Sequence, residues 1–328
     1  MFNLRILKLF FVLVLFGIAL VIVFLLFFLD NSTHLRDIGA QEEVNKKLLS
    51  GSVYIDRLEH LNLMCRHFNH SEPDDFNTLI ENRYLLDHIV VDTKHQLLYC
   101  YVPKVACTNW KRLFMILTGA TNTTNVLSIP ATKAHNRLSL LTLSNFTYTE
   151  IKYLLSTYTK FLFVRHPFER LLSAFRNKLE YKYNRSMYFH NRFGKYIVKN
   201  YRTKPNNASN GDDVTFAEFT AYLAKSESEV FNEHWKPIHH LCEPCRIKYH
   251  FIGKYETLLS DSNFILKSIG VSDVRFPFNV KTASTSNKLK KYFSMLSPSR
   301  IKDLYNIYEI DFKLFQYNLQ DLLGYEVG

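Results

Sequence analysis

Residues 9–29 form a run of 21 residues without a charge and with one glycine, Gly17. An α-helix rises about 1.5 Å per residue, so the run spans a hydrocarbon core of about 30 Å. Arg5 and Lys8 precede it and Asp30 follows. Positive charge on a short N-terminal side holds that side in the cytosol. The pattern predicts a cytosolic tail over 1–8, a signal-anchor transmembrane helix over 9–29 and a luminal remainder. A cleaved signal peptide has a shorter apolar region and a small-residue cleavage site. Asp30-Asn-Ser-Thr33 offers no such site. No second run approaches this length, so a single type II span is expected.

The luminal part reads as a polar stem over 30–85, with a helix near 41–49, followed by a folded domain over 86–328. Six N-glycosylation triplets, at Asn31, Asn69, Asn122, Asn145, Asn184 and Asn207, suit a luminal body. The net charge of +11 calls for an anionic partner. The compartment argues against nucleic acid. Hydrophobic residues at 47% exclude a disordered chain. Five cysteines are too few for a fold built on disulfides.

Within the domain, β-rich runs alternate with helical ones. His88-Ile-Val-Val-Asp92 and Leu97-Leu-Tyr-Cys-Tyr-Val102 read as a hairpin, followed by a helix over 108–117. A helix over 149–158 leads to a buried strand over 160–165. Pro167 suits the first position of the next helix, over 168–181. Thr215 and Glu218 form a capping-box pattern opening a helix to about Lys225. A short strand over 249–253 and helices over 256–269 and 299–316 complete the order. This alternation predicts an α/β fold, a P-loop-like parallel sheet flanked by helices.

Open α/β sheets bind ligands where strands end and helices begin, and helix N-termini favour phosphate or sulfate. Two junctions carry suitable side chains. In the first, Lys104 ends a strand while Thr108 and Asn109 open a helix, with Lys111 and Arg112 one turn on. It has no Gly-Lys-Ser/Thr ending, so a Walker nucleotidase is a poor match. In the second, Arg165 ends a strand and supplies a forked donor suited to phosphate, with Ser173 about two turns later.

These junctions resemble the two nucleotide-binding motifs of the Golgi carbohydrate sulfotransferases. The likeness is to the subgroup of chondroitin and dermatan 4-O-sulfotransferases and HNK-1 sulfotransferases, and is closest to the chondroitin 4-O-sulfotransferases. The decapeptide Pro103-Lys-Val-Ala-Cys-Thr-Asn-Trp-Lys-Arg112 is its most specific part. The resemblance continues through Leu86–Asp92, Gly211–Phe216, Phe231-Asn-Glu-His-Trp235, Leu241-Cys-Glu-Pro-Cys245 and Ile252–Leu258, over roughly residues 60–320. His166 stands where the family often has Glu.

The resemblance implies that the donor is 3′-phosphoadenylyl sulfate (PAPS), with no metal required. It implies that Pro103, Lys104, Val105, Ala106, Cys107, Thr108 and Asn109 cradle the 5′-phosphosulfate. Arg165, His166, Pro167, Phe168, Glu169, Arg170, Leu171, Leu172 and Ser173 would hold the 3′-phosphate. Lys104 would stabilise charge on the leaving phosphate, as in phosphoryl transfer. The attacking sugar hydroxyl needs a base that is neutral near pH 6–7, which favours histidine. His135, between the motifs, and His234, beside Glu233, are the catalytic candidates.

From Arg176 to Lys204 there are nine Lys/Arg, one Glu and seven Tyr/Phe. That composition suits a groove for an acidic glycan, and the resemblance points to the 4-hydroxyl of N-acetylgalactosamine in chondroitin or a related chain. The expected partners are this acceptor and the membrane, with no nucleic acid and with a homodimer left open. Cys242-x-x-Cys245 reads as disulfide-forming in an oxidising lumen, partners open, with Cys107 as the free thiol. Two other readings compete: a non-catalytic luminal glycosaminoglycan-binding protein, and a nucleotide kinase-like enzyme. Intact Lys104, Arg165 and Ser173 weigh against the first. The missing Gly-Lys-Ser/Thr and the signal anchor weigh against the second.

Overall fold

Strand β1 (Ile89–Asp92) pairs antiparallel with β2 (Leu97–Cys100), which pairs parallel with β3 (Thr159–Val164), which pairs parallel with β4 (Phe251–Lys254). The sheet order is β1-β2-β3-β4. The expected sheet is thus parallel over three strands, with the hairpin adding an antiparallel edge. The structure, a computed structural model, describes residues 51–68, 76–204, 209–277 and 286–320. The expected transmembrane run at 9–29, the helix near 41–49 and the triplets at Asn31, Asn69 and Asn207 lie outside them. Among the described residues no helix is long and apolar enough to cross a membrane.

Local chemistry explains the strand boundaries. Buried Asp92 ends β1, and its carboxylate accepts from Lys94 N–H, His95 N–H and His95 Nδ1 at 2.9, 3.2 and 2.7 Å. It thereby folds the hairpin turn, whose last residue, Gln96, has a φ of 52°. At the other edge, Gly253 passes so close to Phe163 that an added Cβ would lie 2.3 Å from the ring. Only glycine lets β4 lie against β3 there.

The longer helices are α1 (Ser52–His67), α2 (Cys107–Leu117), α3 (Tyr148–Thr157), α4 (Pro167–Phe175), α5 (Phe216–Ala224), α6 (Leu258–Ser268) and α7 (Pro298–Leu314). Both Thr147 with Glu150 and Thr215 with Glu218 form reciprocal capping boxes. Pro167 sits in the first turn of α4, and the His166 side chain accepts from Phe168 N–H. The helix expected over 168–181 stops at Phe175. It continues as a wide turn, closed by Tyr181 N–H donating to Arg176 O at 3.0 Å.

Two apolar cores result. One centres on the sheet and α2, where Tyr99, Trp110, Phe114, Phe161 and Phe163 are fully buried. The other joins α4, α5 and α7 through Phe168, Phe175, Phe219, Trp235 and Phe312. From Tyr54 onward the described residues belong to one unit. Residues 54–67, which the sequence places in the stem, are fastened to it. Arg57 donates to buried Asp261 at 2.7 Å, and the same carboxylate accepts from Tyr54, Thr257 and Lys254 N–H.

Disulfides Cys65–Cys245 and Cys100–Cys242 close sequence separations of 180 and 142 residues. Cys107 is free and buried. Loops of this length carry on the order of 4–5 kcal/mol each by chain-entropy reckoning. Denatured, unreduced protein should expose one alkylatable thiol per chain, and Cys65→Ser with Cys245→Ser should lower unfolding free energy by roughly 2–5 kcal/mol. Thiol titration and urea unfolding check both.

Candidate functional site

The turn between β2 and α2 is held in an unusual shape. Lys104 and Ala106 have φ of 72° and 56°, a left-handed conformation that costs non-glycine residues about 1–2 kcal/mol each. Packing and hydrogen bonds must offset that strain. Val105, between them, is fully buried. Arg170 donates from Nε to Pro103 O at 3.0 Å, and Arg165 Nη1 donates to Lys104 O at 3.3 Å. With the loop's carbonyls drawn to these arginines, α2 begins with no side chain capping it. Asn109 N–H and Trp110 N–H turn back to Ala106 O. The N–H groups of Cys107 and Thr108 thus open the helix as anion donors.

This helix start faces a cleft of about 1350 Å³. Such a volume exceeds the roughly 300–1,000 Å³ typical of a single small-molecule pocket. Pro103, Lys104, Ala106, Cys107, Thr108 and Asn109 line it, as do Arg165, Ser173, His135 and His234. The structure therefore brings both expected junctions and both candidate bases to one cavity. It does not bring all of either motif there. Val105, Phe168, Leu171 and Leu172 are core residues. His166 is buried, with Nε2 on Asn318 O, and Pro167 and Glu169 are buried too. Arg170 is also buried. Besides Pro103 O, it holds Lys236 O at 2.6 Å and Glu233 O at 2.9 Å. Of residues 165–173, the side chains of Arg165 and Ser173 line the cleft. The helical period turns the others into packing or bracing.

Arg165 is engaged as it stands. Its Nε and Nη2 donate to Glu169 Oε2 at 3.1 and 2.9 Å, and its guanidinium lies 4.1 Å from the Tyr255 ring centre. Asn109 Oδ1 accepts from Arg112, which leaves the amide nitrogen as the donor available to a ligand. Lys111 Nζ sits 3.3 Å from the Tyr101 ring centre. Burial lowers its pKa, opposed by Cys107 and Glu233.

His135 Nε2 lies 2.8 Å from Thr108 Oγ1. Its pKa is lowered, by desolvation first and then by Lys111. His234 is held well below the usual histidine value by burial and then Lys178, against Glu233, with Lys104 and Arg170 adding to the depression. Beside it, Glu233 contacts His88. His88 and Glu233 are 145 residues apart. Sequence spacing carries no sign of the contact, although both residues stand within the segments of resemblance.

The basic run divides. Lys178 and Arg192 line the cleft with Tyr188, Phe189 and Phe193. Arg176, Lys182 and Arg202 pair instead with Glu180, Asp212, and Asp213 with Glu218. Among the described residues, no three His, Cys, Asp or Glu side chains cluster as metal ligands would.

The sequence pattern of the sulfotransferase family matches residues 87–318. Carbohydrate sulfotransferase 11 of Rattus norvegicus is 46% identical over 245 residues, covering 73% of this chain and 69% of that protein. Carbohydrate sulfotransferase 14 of Homo sapiens is 40% identical over 245 residues, covering 74% and 63%. Carbohydrate sulfotransferase 9 of Homo sapiens is 39% identical over 246 residues, covering 71% and 54%. No solved structure matches.

Arg170→Lys loses a planar fork that serves three backbone carbonyls at once. It should lower unfolding free energy by roughly 2–4 kcal/mol. Urea denaturation against the unmodified protein reads this directly.

Proposed function

The chain belongs to the sulfotransferase family, and on that premise we propose that it transfers sulfate from PAPS to the 4-hydroxyl of N-acetylgalactosamine in chondroitin or a related glycan. The observation that carries this reading is the convergence of the uncapped α2 start, Lys104, Arg165 and Ser173 on one cleft. The residues fit such a donor. The helix N–H groups and Lys104 suit the phosphosulfate, and Arg165 with Ser173 suits a second phosphate. Glycan sulfation itself follows from the relatives.

In this mechanism the acceptor oxygen attacks sulfur in line and the adenosine bisphosphate leaves. Lys104 and the helix N–H groups stabilise charge on the departing phosphate. Lys178 and Arg192 favour an acidic acceptor, and Tyr188 offers a half-exposed ring for a sugar face. Two disulfides suit an oxidising compartment. With the uncharged run at 9–29, they support a Golgi membrane protein of type II orientation whose catalytic domain is luminal.

The test uses a secreted form spanning residues 31–328 and labelled PAPS, with chondroitin, desulfated dermatan and an N-acetylgalactosamine-terminated glycan as acceptors. Transfer to chondroitin is expected, with Lys104→Ala reducing it about 10²-fold or more. It should weaken steeply as salt is raised. Folded protein that neither binds PAPS nor transfers sulfate would overturn the reading in favour of a glycan-binding protein.

A further inference from the structure

The cleft-wall hydrogen bonds distinguish the two candidate histidines and bring in a third. His88 is 3% exposed, at the end of the turn Arg83–His88. Its Nδ1 is 2.8 Å from Tyr84 O, and its Nε2 is 3.1 Å from Glu233 Oε2. A carbonyl oxygen only accepts, so Nδ1 carries a hydrogen. Nε2 then either donates to the Glu233 carboxylate or accepts from the protonated acid. Glu233 is held down to about 2: burial opposes ionisation, but the His88 hydrogen bond and nearby positive groups outweigh it. The ring is held between Tyr84 O and the Glu233 carboxylate and is fixed further by stacking on Tyr101 at 4.7 Å.

The free edge of that carboxylate faces the next residue, with Glu233 Oε1 3.8 Å from His234 Nδ1. His234 Nδ1 is 2.7 Å from Asn232 Oδ1, which also accepts from His234 N–H at 3.1 Å. An amide oxygen only accepts. The hydrogen therefore resides on Nδ1 and the lone pair on Nε2, assigned from the network. His135 differs, because its Nε2 is already bonded to the Thr108 hydroxyl at the start of α2.

We propose that Glu233, clamped by His88, charge-compensates His234, whose ring Asn232 orients and whose Nε2 takes the acceptor hydroxyl's proton, while His135 holds Thr108 for the donor. This deepens the sulfuryl-transfer reading and rests on it. In the step, the acceptor oxygen forms a bond to sulfur as the bond from sulfur to the bridging phosphate oxygen breaks. The electron pair leaves with adenosine 3′,5′-bisphosphate. The hydroxyl proton passes to His234 Nε2, and the Glu233 carboxylate stabilises the imidazolium that forms. The arrangement parallels a histidine base supported by a carboxylate, with a second histidine fixing the carboxylate.

The test is a kinetic cycle on the secreted form, with adenosine 3′,5′-bisphosphate binding and thermal midpoint as checks of folding. His234→Ala should lower kcat about 10²-fold or more, leaving bisphosphate affinity within about threefold. Glu233→Gln should lower kcat about 10-fold or more with little change in either KM, as loss of transition-state interaction requires. The double variant should be no slower than His234→Ala alone, because Glu233 acts through that ring. His135→Ala should raise the donor KM more than it lowers kcat. Should His234→Ala fold poorly, His234→Gln replaces it in the cycle. Independent, multiplicative losses for Glu233 and His234 would overturn the proposal, as would a larger kcat loss for His135→Ala than for His234→Ala. An unmodified protein that binds no bisphosphate and transfers no sulfate defeats the sulfotransferase reading instead. Transfer undiminished in His234→Ala defeats this inference alone.

Discussion

A single buried guanidinium ties the site together. Arg170 leaves α4 and donates to the carbonyls of Pro103, Lys236 and Glu233, which belong to two segments far apart in the chain. The first carbonyl belongs to the strained turn that opens α2. The others flank the segment carrying Glu233 and His234. Burying an arginine incurs a large desolvation penalty unless its donors are satisfied. Here Nε, Nη1 and Nη2 each meet a carbonyl. The left-handed Lys104 and Ala106, and the spacing between the α2 start and His234, depend on that bracing. A lysine supplies charge but no planar fork.

Charge is distributed around the cleft with a consequence for catalysis. Lys104, Lys178 and Arg170 all contribute to holding His234 neutral. An anionic donor bound at the α2 start would offset part of that positive field. On the proposed assignment, His234 would then be a stronger base with the donor in place than without it. Arg165 shows the same economy, since Glu169 occupies its fork in the structure described here. A phosphate arriving at Arg165 would exchange one anionic partner for another without leaving a buried cation unpaired.

Much of the fold was legible because its signals are local. The hairpin follows from two β-rich runs and the Asp92 turn, and the capping boxes at Thr147 and Thr215 lie within four residues. The free thiol at Cys107 also agrees with the sequence reading. Long-range facts were not legible. Nothing in spacing pairs Cys65 with Cys245 or His88 with Glu233. The motif from Arg165 to Ser173 shows a subtler limit. It is contiguous in sequence, but a helix presents every third or fourth residue to one side. Ser173 thus reaches the cleft from α4 and Arg165 from the loop before it, while Phe168, Leu171 and Leu172 build the second core. The basic run over 176–204 divides for a similar reason, because acids outside the run or at its start neutralise part of it.

The central claim is that the α2 start and the Arg165–Ser173 face form one donor site. A crystal structure with adenosine 3′,5′-bisphosphate tests it most directly. The account predicts the 5′-phosphate on the N–H groups of Cys107 and Thr108 beside Lys104. It predicts the 3′-phosphate on Ser173 and Arg165, with the Arg165 fork turned from Glu169 to the ligand. A nucleotide bound elsewhere, or an Arg165 still paired to Glu169 with the 3′-phosphate in solvent, would contradict it.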